Sequence, residues 1–212
     1  MEWTGERLIP EMLKPTNGML LEHVARYYFA TPYAGERVLD IACGTGYGSH
    51  MVAKHCKREI KELIGVDIDP EAVTYANRQY HHQKITFLEG NAMDPQLPER
   101  LGQFDTILCF ETIEHVEDDR LVLENLYKML KPGGTLVIST PFGRGRGIPT
   151  NEPYHIHQLT RDEFNELLSE QFGDIEMYYQ RGPTFEKPRE DVRYFIGVGV
   201  CRKNKVENCN ED

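Results

Sequence analysis

The sequence predicts an α/β fold: one mostly parallel sheet of seven strands, its last strand antiparallel, with helices on both faces. Three observations carry this. From Arg37 to Thr140, short apolar runs alternate with helical segments, the pattern of β–α–β units with right-handed crossovers. The first run, Val38-Leu39-Asp40-Ile41, passes through a glycine-rich turn into a helix. The last two runs have no room for a helix between them, so they pair antiparallel.

The elements follow in order. Gly18 to Ala30 places Met19, Leu20, Val24, Tyr27 and Tyr28 at helical spacing and ends near Thr31-Pro32. Arg37 to Ile41 is the first strand and Tyr47 to Cys56 the next helix. Leu63 to Asp67 is the second strand. Asp69-Pro70-Glu71 opens a helix that runs to about Tyr80, with Asp69 as N-cap and Pro70 at the first helical position. Ile85 to Leu88 is the third strand. Asp94 to Gly102 reads as a proline-interrupted connection.

Phe104 to Phe110 is the fourth strand, apolar enough for burial on both faces. A helix from Asp118 to Leu130 stops at Pro132-Gly133-Gly134. Thr135 to Thr140 is the fifth strand. Thr160 and Glu163 form a capping box for a helix to Gln171. Ile175 to Tyr179 and Val192 to Cys201 are the closing pair. Residues 18–202 thus read as a single domain, preceded by an arm or lid over residues 1–17 and followed by a disordered tail over 203–212.

The 212 residues suffice for one core, with 40% hydrophobic and 27% charged residues. A net charge of −10 disfavours a nucleic-acid partner or an anionic membrane. Five cysteines lie scattered at 43, 56, 109, 201 and 209 without a C-x-x-C pair, which indicates neither a disulfide framework nor a thiolate zinc site. The first residues do not read as a signal peptide and no run is long enough for a membrane span, so a reducing cytoplasm is the expected compartment.

In such a sheet the ligand sits beyond the carboxyl ends of the strands. Asp40, Gly44, Gly46 and Gly48 surround the first strand end; the helix start behind them favours an anionic group. Asp67 ends the second strand, placed to accept from two ribose hydroxyls. Asn91-Ala92 follows the third and Glu111 the fourth. A dinucleotide fingerprint would need glycine where Ser49 stands, and a P-loop would need Gly-Lys-Ser/Thr. The constellation instead resembles the class I S-adenosylmethionine-dependent methyltransferases. The matching pieces are Leu39 to Gly48, Gly65-Val66-Asp67-Ile68-Asp69, Leu88-Glu89-Gly90-Asn91-Ala92, Phe104 to Ile107, and Leu130-Lys131-Pro132-Gly133-Gly134. The resemblance implies a Rossmann-like fold and S-adenosyl-L-methionine as cofactor. It implies that Gly44 to Gly48 face the methionine part, that Asp67 and the adjacent Ile68 hold the ribose and base region, and that Asn91 and Ala92 read the adenine.

Glu111-Thr112-Ile113-Glu114-His115 crowds two carboxylates and an imidazole beyond the fourth strand. Like charges this close oppose joint ionisation unless a cation neutralises them, and the donor types suit Mg²⁺ or Mn²⁺. The segment is similar to the E-x-x-E-H motif of ubiquinone-biosynthesis O-methyltransferases. With His155 ahead of Thr160-Arg161-x-x-Phe164, it is also similar to small-RNA 3′-terminal 2′-O-methyltransferases. The resemblance implies Glu111, Glu114, His115 and His155 as metal ligands, and Glu114, His115 and His155 as catalytic candidates. Alternatively, His115 is a general base or a structural residue. His157 and Gln158 read as solvent-facing or packing residues. Arg144 and Arg146, on a glycine-rich loop, suggest an acidic acceptor. The Thr4-Gly5-Glu6-Arg7-Leu8-Ile9-Pro10 segment is similar to one found in many bacterial methyltransferases and is expected to close over the cofactor.

The expected function is methyl transfer to a hydroxyl of a small-molecule or sugar-like acceptor. The rivals are an RNA 3′-terminal 2′-O-methyltransferase and a cofactor-binding regulatory protein without catalysis. The sequence does not name an oligomeric state.

Overall fold

A computed structural model describes residues 8–205. Residues 1–7 of the expected arm and 206–212 of the expected tail lie outside that range. The chain runs α1 (Gly18–Ala30), β1 (Arg37–Ile41), α2 (Tyr47–His55), β2 (Glu62–Asp67), α3 (Pro70–Gln79), β3 (Ile85–Glu89), α4 (Leu97–Leu101) and β4 (Phe104–Phe110). It continues with α5 (Asp119–Met129), β5 (Leu130–Pro141), α6 (Arg161–Ser169), β6 (Asp174–Arg181), β7 (Thr184–Glu186) and β8 (Ile196–Arg202).

The strand order is β3-β2-β1-β4-β5-β8-β6-β7. The first five strands pair in parallel, and β8 inserts antiparallel between β5 and β6. The sheet therefore has eight strands rather than seven. The extra strand is β7, three residues that fold back on β6 through a tight turn at Gly182. It is too short for a period-2 pattern to register. The connection between β3 and β4 contains the short helix α4; Pro98 falls in its first turn, where no N–H is needed, so the proline starts this helix instead of interrupting it. β5 begins earlier than expected, at Leu130, and its register against β4 shifts between Phe104 and Thr106. β8 begins later, at Ile196.

Caps behave as the residue types dictate. Asn17 caps α1 by accepting from the Leu20 N–H, Asp69 caps α3, and Asp118 caps α5. Thr160 and Glu163 form both bonds of the capping box at α6.

Alternation along the central strands fills two cores. Leu39, Ile41, Ile107, Cys109, Leu136 and Ile138 face α5 and α6. Val38, Leu108, Phe110 and Val137 face α1 and α2, where Tyr27, Ala30, Val52 and Ala53 pack. These side chains are almost all fully buried, and each Val, Leu, Ile or Phe among them contributes roughly 1.5–3 kcal/mol. Strand order reverses between β1 and β4, so their carboxyl ends flank a crevice. The two described non-glycine residues with positive φ sit at those ends: Ala42 (φ 56°) after β1 and Glu111 (φ 48°) after β4. Strained backbone of this kind costs about 1–3 kcal/mol and concentrates at functional sites. Among the described residues, no helix is long and apolar enough to cross a membrane.

Candidate functional site

The crevice opens into a cavity of about 730 Å³, within the ~300–1,000 Å³ usual for small-molecule sites. The ends of β1, β2 and β3 supply Ala42, Cys43, Gly44, Thr45, Asp67, Ile68, Asn91 and Ala92 to its wall. The end of β4, helix α1 and the 142–160 loop supply Glu111, Glu114, His115, Glu22, His23, Arg26, Tyr154 and His155.

Each residue expected at the cofactor site has a definite place. Gly44 (φ 56°) lines the cavity, and a Cβ there would meet nothing within 4 Å, so the turn leaves room for a ligand. Gly46 and Gly48 do not line it. Gly46 lies against Phe87, and a Cβ on Gly48 would come within 2.4 Å of the Tyr27 ring. They let α2 approach its neighbours closely. Asp40 lies behind the wall, fully buried, where Ser49 Oγ and Tyr27 Oη donate to its carboxylate. Burial pushes its pKa up to about 7, against the pull of those hydrogen bonds.

Asp67 Oδ2 accepts from the Gly44 N–H at 2.7 Å and Oδ1 from the Asp69 N–H at 3.0 Å. One carboxylate therefore ties the end of β2 to the turn after β1. Ile68 lies 63% exposed along the cavity, an apolar surface for a flat ring. Asn91 Oδ1 accepts from the Met93 N–H at 2.9 Å, which fixes the amide at the wall. The Ala92 carbonyl accepts from Asn125 Nδ2 on α5. The described part of the expected arm lies over this end. Leu8 is buried and lines the cavity, and its carbonyl accepts from Thr45 Oγ1 at 2.8 Å. Tyr75, Gln79 and Tyr80 all donate to Glu11.

At the other end, Glu114, His115 and His155 each bring a ligand-type atom to within 4.8 Å of the others. Backbone bonding makes this possible: the Glu114 carbonyl accepts from the Ile156 N–H at 2.8 Å, docking the loop on the turn after β4. The two imidazoles meet edge to face with centroids 4.8 Å apart. The His115 Nδ1–H donates to the Tyr154 carbonyl at 3.0 Å, which leaves Nε2 as the basic atom, 3.9 Å from Glu114 Oε1. Glu114 is wholly buried. Thr140 Oγ1 donates to its Oε2, while Oε1 has no hydrogen-bond partner among the described residues. Burial, and then the charge of Glu111, push its carboxyl well above the usual range. Burial and the neighbouring His115 push the His155 imidazole down.

Glu111 is not brought into this cluster. Its Oε1 accepts from Ser139 Oγ at 2.8 Å, and Oε2 lies 4.0 Å from Arg26 Nη2. Arg26 and His23 are the cavity residues that the pattern of apolar positions on α1 does not reveal. Arg26 is fully buried and donates to Gln180 Oε1 at 2.7 Å. Burial and the Arg26 charge hold His23 well below the usual imidazole range. A usable signal does exist: Met19, Glu22, His23 and Arg26 stand at i, i+3, i+4 and i+7, a second stripe on the same helix. Arg144 and Arg146 do not line the cavity. Arg144 donates to the Pro149 carbonyl in its own loop and Arg146 pairs with Asp119 on α5, so the expected cationic mouth is engaged elsewhere.

Residues 39–138 match the family described as "Methyltransferase domain". The chain thus carries a methyltransferase domain, and its sequence relatives are S-adenosylmethionine-dependent methyltransferases. Among its relatives is a Mycolicibacterium smegmatis protein named "Probable S-adenosylmethionine-dependent methyltransferase", 31% identical over 82% of this chain and 65% of that one. A Mycobacterium tuberculosis protein of the same description is 32% identical over 82% of this chain and 62% of that one. The chain thus spans less than two thirds of the length of these curated relatives. The ubiquinone biosynthesis O-methyltransferase of Xylella fastidiosa is 31% identical over 60% of this chain and half of that one. Among solved structures, an S-adenosylmethionine-dependent methyltransferase from Mesorhizobium loti superposes with TM-score 0.65 at 18% identity, covering 84% of this chain and 98% of that one. The plantazolicin methyltransferase, solved with S-adenosylhomocysteine, does so with TM-score 0.66 at 17% identity, covering 90% and 87%. At such identities these two likenesses concern the fold.

Proposed function

We propose that this chain transfers a methyl group from S-adenosylmethionine to a hydroxyl of a small, sugar-like acceptor in the cytoplasm. When bound, the cofactor supplies a methyl group activated by its sulfonium. The residues of this chain do the rest. Gly44 and the start of α2 receive the carboxylate of the methionine part. Asp67 accepts from the ribose, Ile68 packs on the base, and Asn91 with Ala92 reads the adenine edge. Leu8 covers the cofactor end of the cavity and excludes water.

The observation that carries the acceptor chemistry is the Nδ1–H bond from His115 to the Tyr154 carbonyl. With Nδ1 engaged, Nε2 takes the proton of the acceptor hydroxyl. The acceptor oxygen forms its bond to the methyl carbon as the carbon–sulfur bond breaks, and S-adenosylhomocysteine leaves. The thiols of Cys56, Cys109 and Cys201, buried and without a disulfide among the described residues, support a reducing compartment. A screen of hydroxylated acceptors with methyl-labelled cofactor tests this reading: label should pass to an oxygen in the native protein and fall at least a hundredfold in His115→Asn. Transfer to nitrogen, or full activity in the variant, would overturn it.

A second reading rests on the cluster of Glu114, His115 and His155. Its buried, unpartnered carboxylate oxygen and two imidazoles fit a divalent cation, and two nitrogens with one oxygen suit Mn²⁺ better than Mg²⁺. A bound cation would polarise an acceptor hydroxyl, and an RNA 3′-terminal 2′-hydroxyl becomes the rival acceptor. The net charge of −10 stands against RNA. Mn²⁺ titration followed by electron paramagnetic resonance, with Glu114→Ala as control, separates the two. Equal, negligible binding in both proteins leaves His115 as base.

A further inference from the structure

Asp119 and His157 are buried outside the cavity, and Arg146 reaches Asp119 from the surface. Asp119 opens α5 and is 1% exposed. Arg146 grips it in the fork geometry, Nη2 to Oδ2 at 2.7 Å and Nη1 to Oδ1 at 3.2 Å. His157 Nε2 lies 3.3 Å from the same Oδ2, in contact but without hydrogen-bond geometry. The Arg146 N–H also donates to Glu163, the residue that closes the capping box of α6. Arg146 and His157 sit on the two limbs of the 142–160 loop, and Asp119 joins both limbs to α5.

Between those limbs lie Tyr154, whose carbonyl accepts from His115 Nδ1, and His155, whose ring abuts His115. We propose that the Arg146–Asp119–His157 clasp positions this loop so that the Tyr154 carbonyl selects the His115 tautomer with a basic Nε2. Arg146 and Asp119 are positioning residues; they touch neither cofactor nor acceptor. The assignment rests on the reading of His115 as proton acceptor. Physically the clasp is favoured because a bidentate Arg–carboxylate pair loses little rotamer freedom per bond, and its carboxylate is buried although the Arg146 side chain is 36% exposed.

The test needs no acceptor. Long-range ¹H–¹⁵N correlation spectra distinguish the two neutral tautomers of each histidine. In the native protein His115 should be the Nδ1–H form. Arg146→Gln, a change in a surface loop, should move it to the Nε2–H form that free imidazole favours, with Arg146→Lys intermediate. Asp119→Asn should do the same. Calorimetric affinity for S-adenosylhomocysteine should stay within twofold in all variants, because the cofactor end is built elsewhere. An Nδ1–H His115 that persists in both Arg146→Gln and Asp119→Asn would overturn the clasp, as would an Nε2–H His115 in the native protein. Failure of the native protein to bind S-adenosylhomocysteine would instead remove the methyltransferase reading.

Discussion

Asp67 accepts a hydrogen bond from the backbone N–H of Gly44 at 2.7 Å, so the acid at the end of β2 also holds the glycine turn after β1 in place. The same carboxylate is the expected ribose acceptor. Asp67→Ala should therefore weaken S-adenosylmethionine binding by more than a ribose contact alone explains. Hydrogen bonds to a charged group contribute about 1.5–3 kcal/mol, so a loss of at least ~10-fold is expected. Calorimetry on Asp67→Ala and Asp67→Asn checks this; an affinity within threefold of the native protein in both would remove the role.

Asp40 gives a pH dependence with a definite sign. Burial raises its pKa from 3.8 to about 7, so the folded state binds the proton more tightly than the unfolded chain. Its contribution is fully present below pH 3.8 and declines as pH rises towards 7, then levels off. Asp40→Asn, which cannot ionise, should lack that decline. The measurement is the melting temperature of both proteins from pH 4 to 8. Parallel curves would mean that Asp40 titrates normally in the fold.

Gly48 carries the packing of α2 on α1. A methyl group there would overlap the buried Tyr27 ring. Gly48→Ala should cost about 1–3 kcal/mol by overpacking, a fall of roughly 2–4 °C in Tm per kcal/mol for a chain of this size. Restoring space with Tyr27→Leu in the same protein should recover part of the loss. A neutral Gly48→Ala in thermal denaturation would show that α1 shifts freely.

Arg26 and Glu111 stand 4.0 Å apart, the arginine fully buried and the acid 19% exposed. Removing one partner of such a pair strands the other. Arg26→Met should destabilise by about 2–4 kcal/mol, discounted from the fully buried case because water reaches Glu111. Arg26→Met with Glu111→Gln should cost less than the sum of the single changes. Strictly additive losses in urea denaturation would show the two groups uncoupled.

Much of this architecture is legible in the sequence because it follows from periodicity. Val38 to Ile41, Phe104 to Phe110 and Thr135 to Thr140 are mostly apolar runs, and Asp69-Pro70-Glu71 and Thr160-x-x-Glu163 are local cap signals. What is hidden depends on partners distant in the chain. Arg26 reads as an ordinary charge until Gln180, 154 residues away, meets it. Arg146 reads as a free cation at a pocket mouth until Asp119 folds beneath it. His157 reads as a solvent-facing or packing residue; it is buried, against a carboxylate. The alternation of Glu111 and Glu114 predicts one carboxylate cluster. The positive φ at Glu111 turns its side chain towards Ser139 and Arg26 instead, and no pattern of residue types announces that.

The central claim is that the cavity beyond β1, β2 and β3 is a cofactor seat. Isothermal titration calorimetry with S-adenosylmethionine and with S-adenosylhomocysteine tests it most directly. One site per chain is expected for both ligands, with micromolar affinity that Asp67→Ala abolishes or weakens and Arg146→Gln leaves intact. Absence of binding at high micromolar ligand to the folded native protein would contradict it.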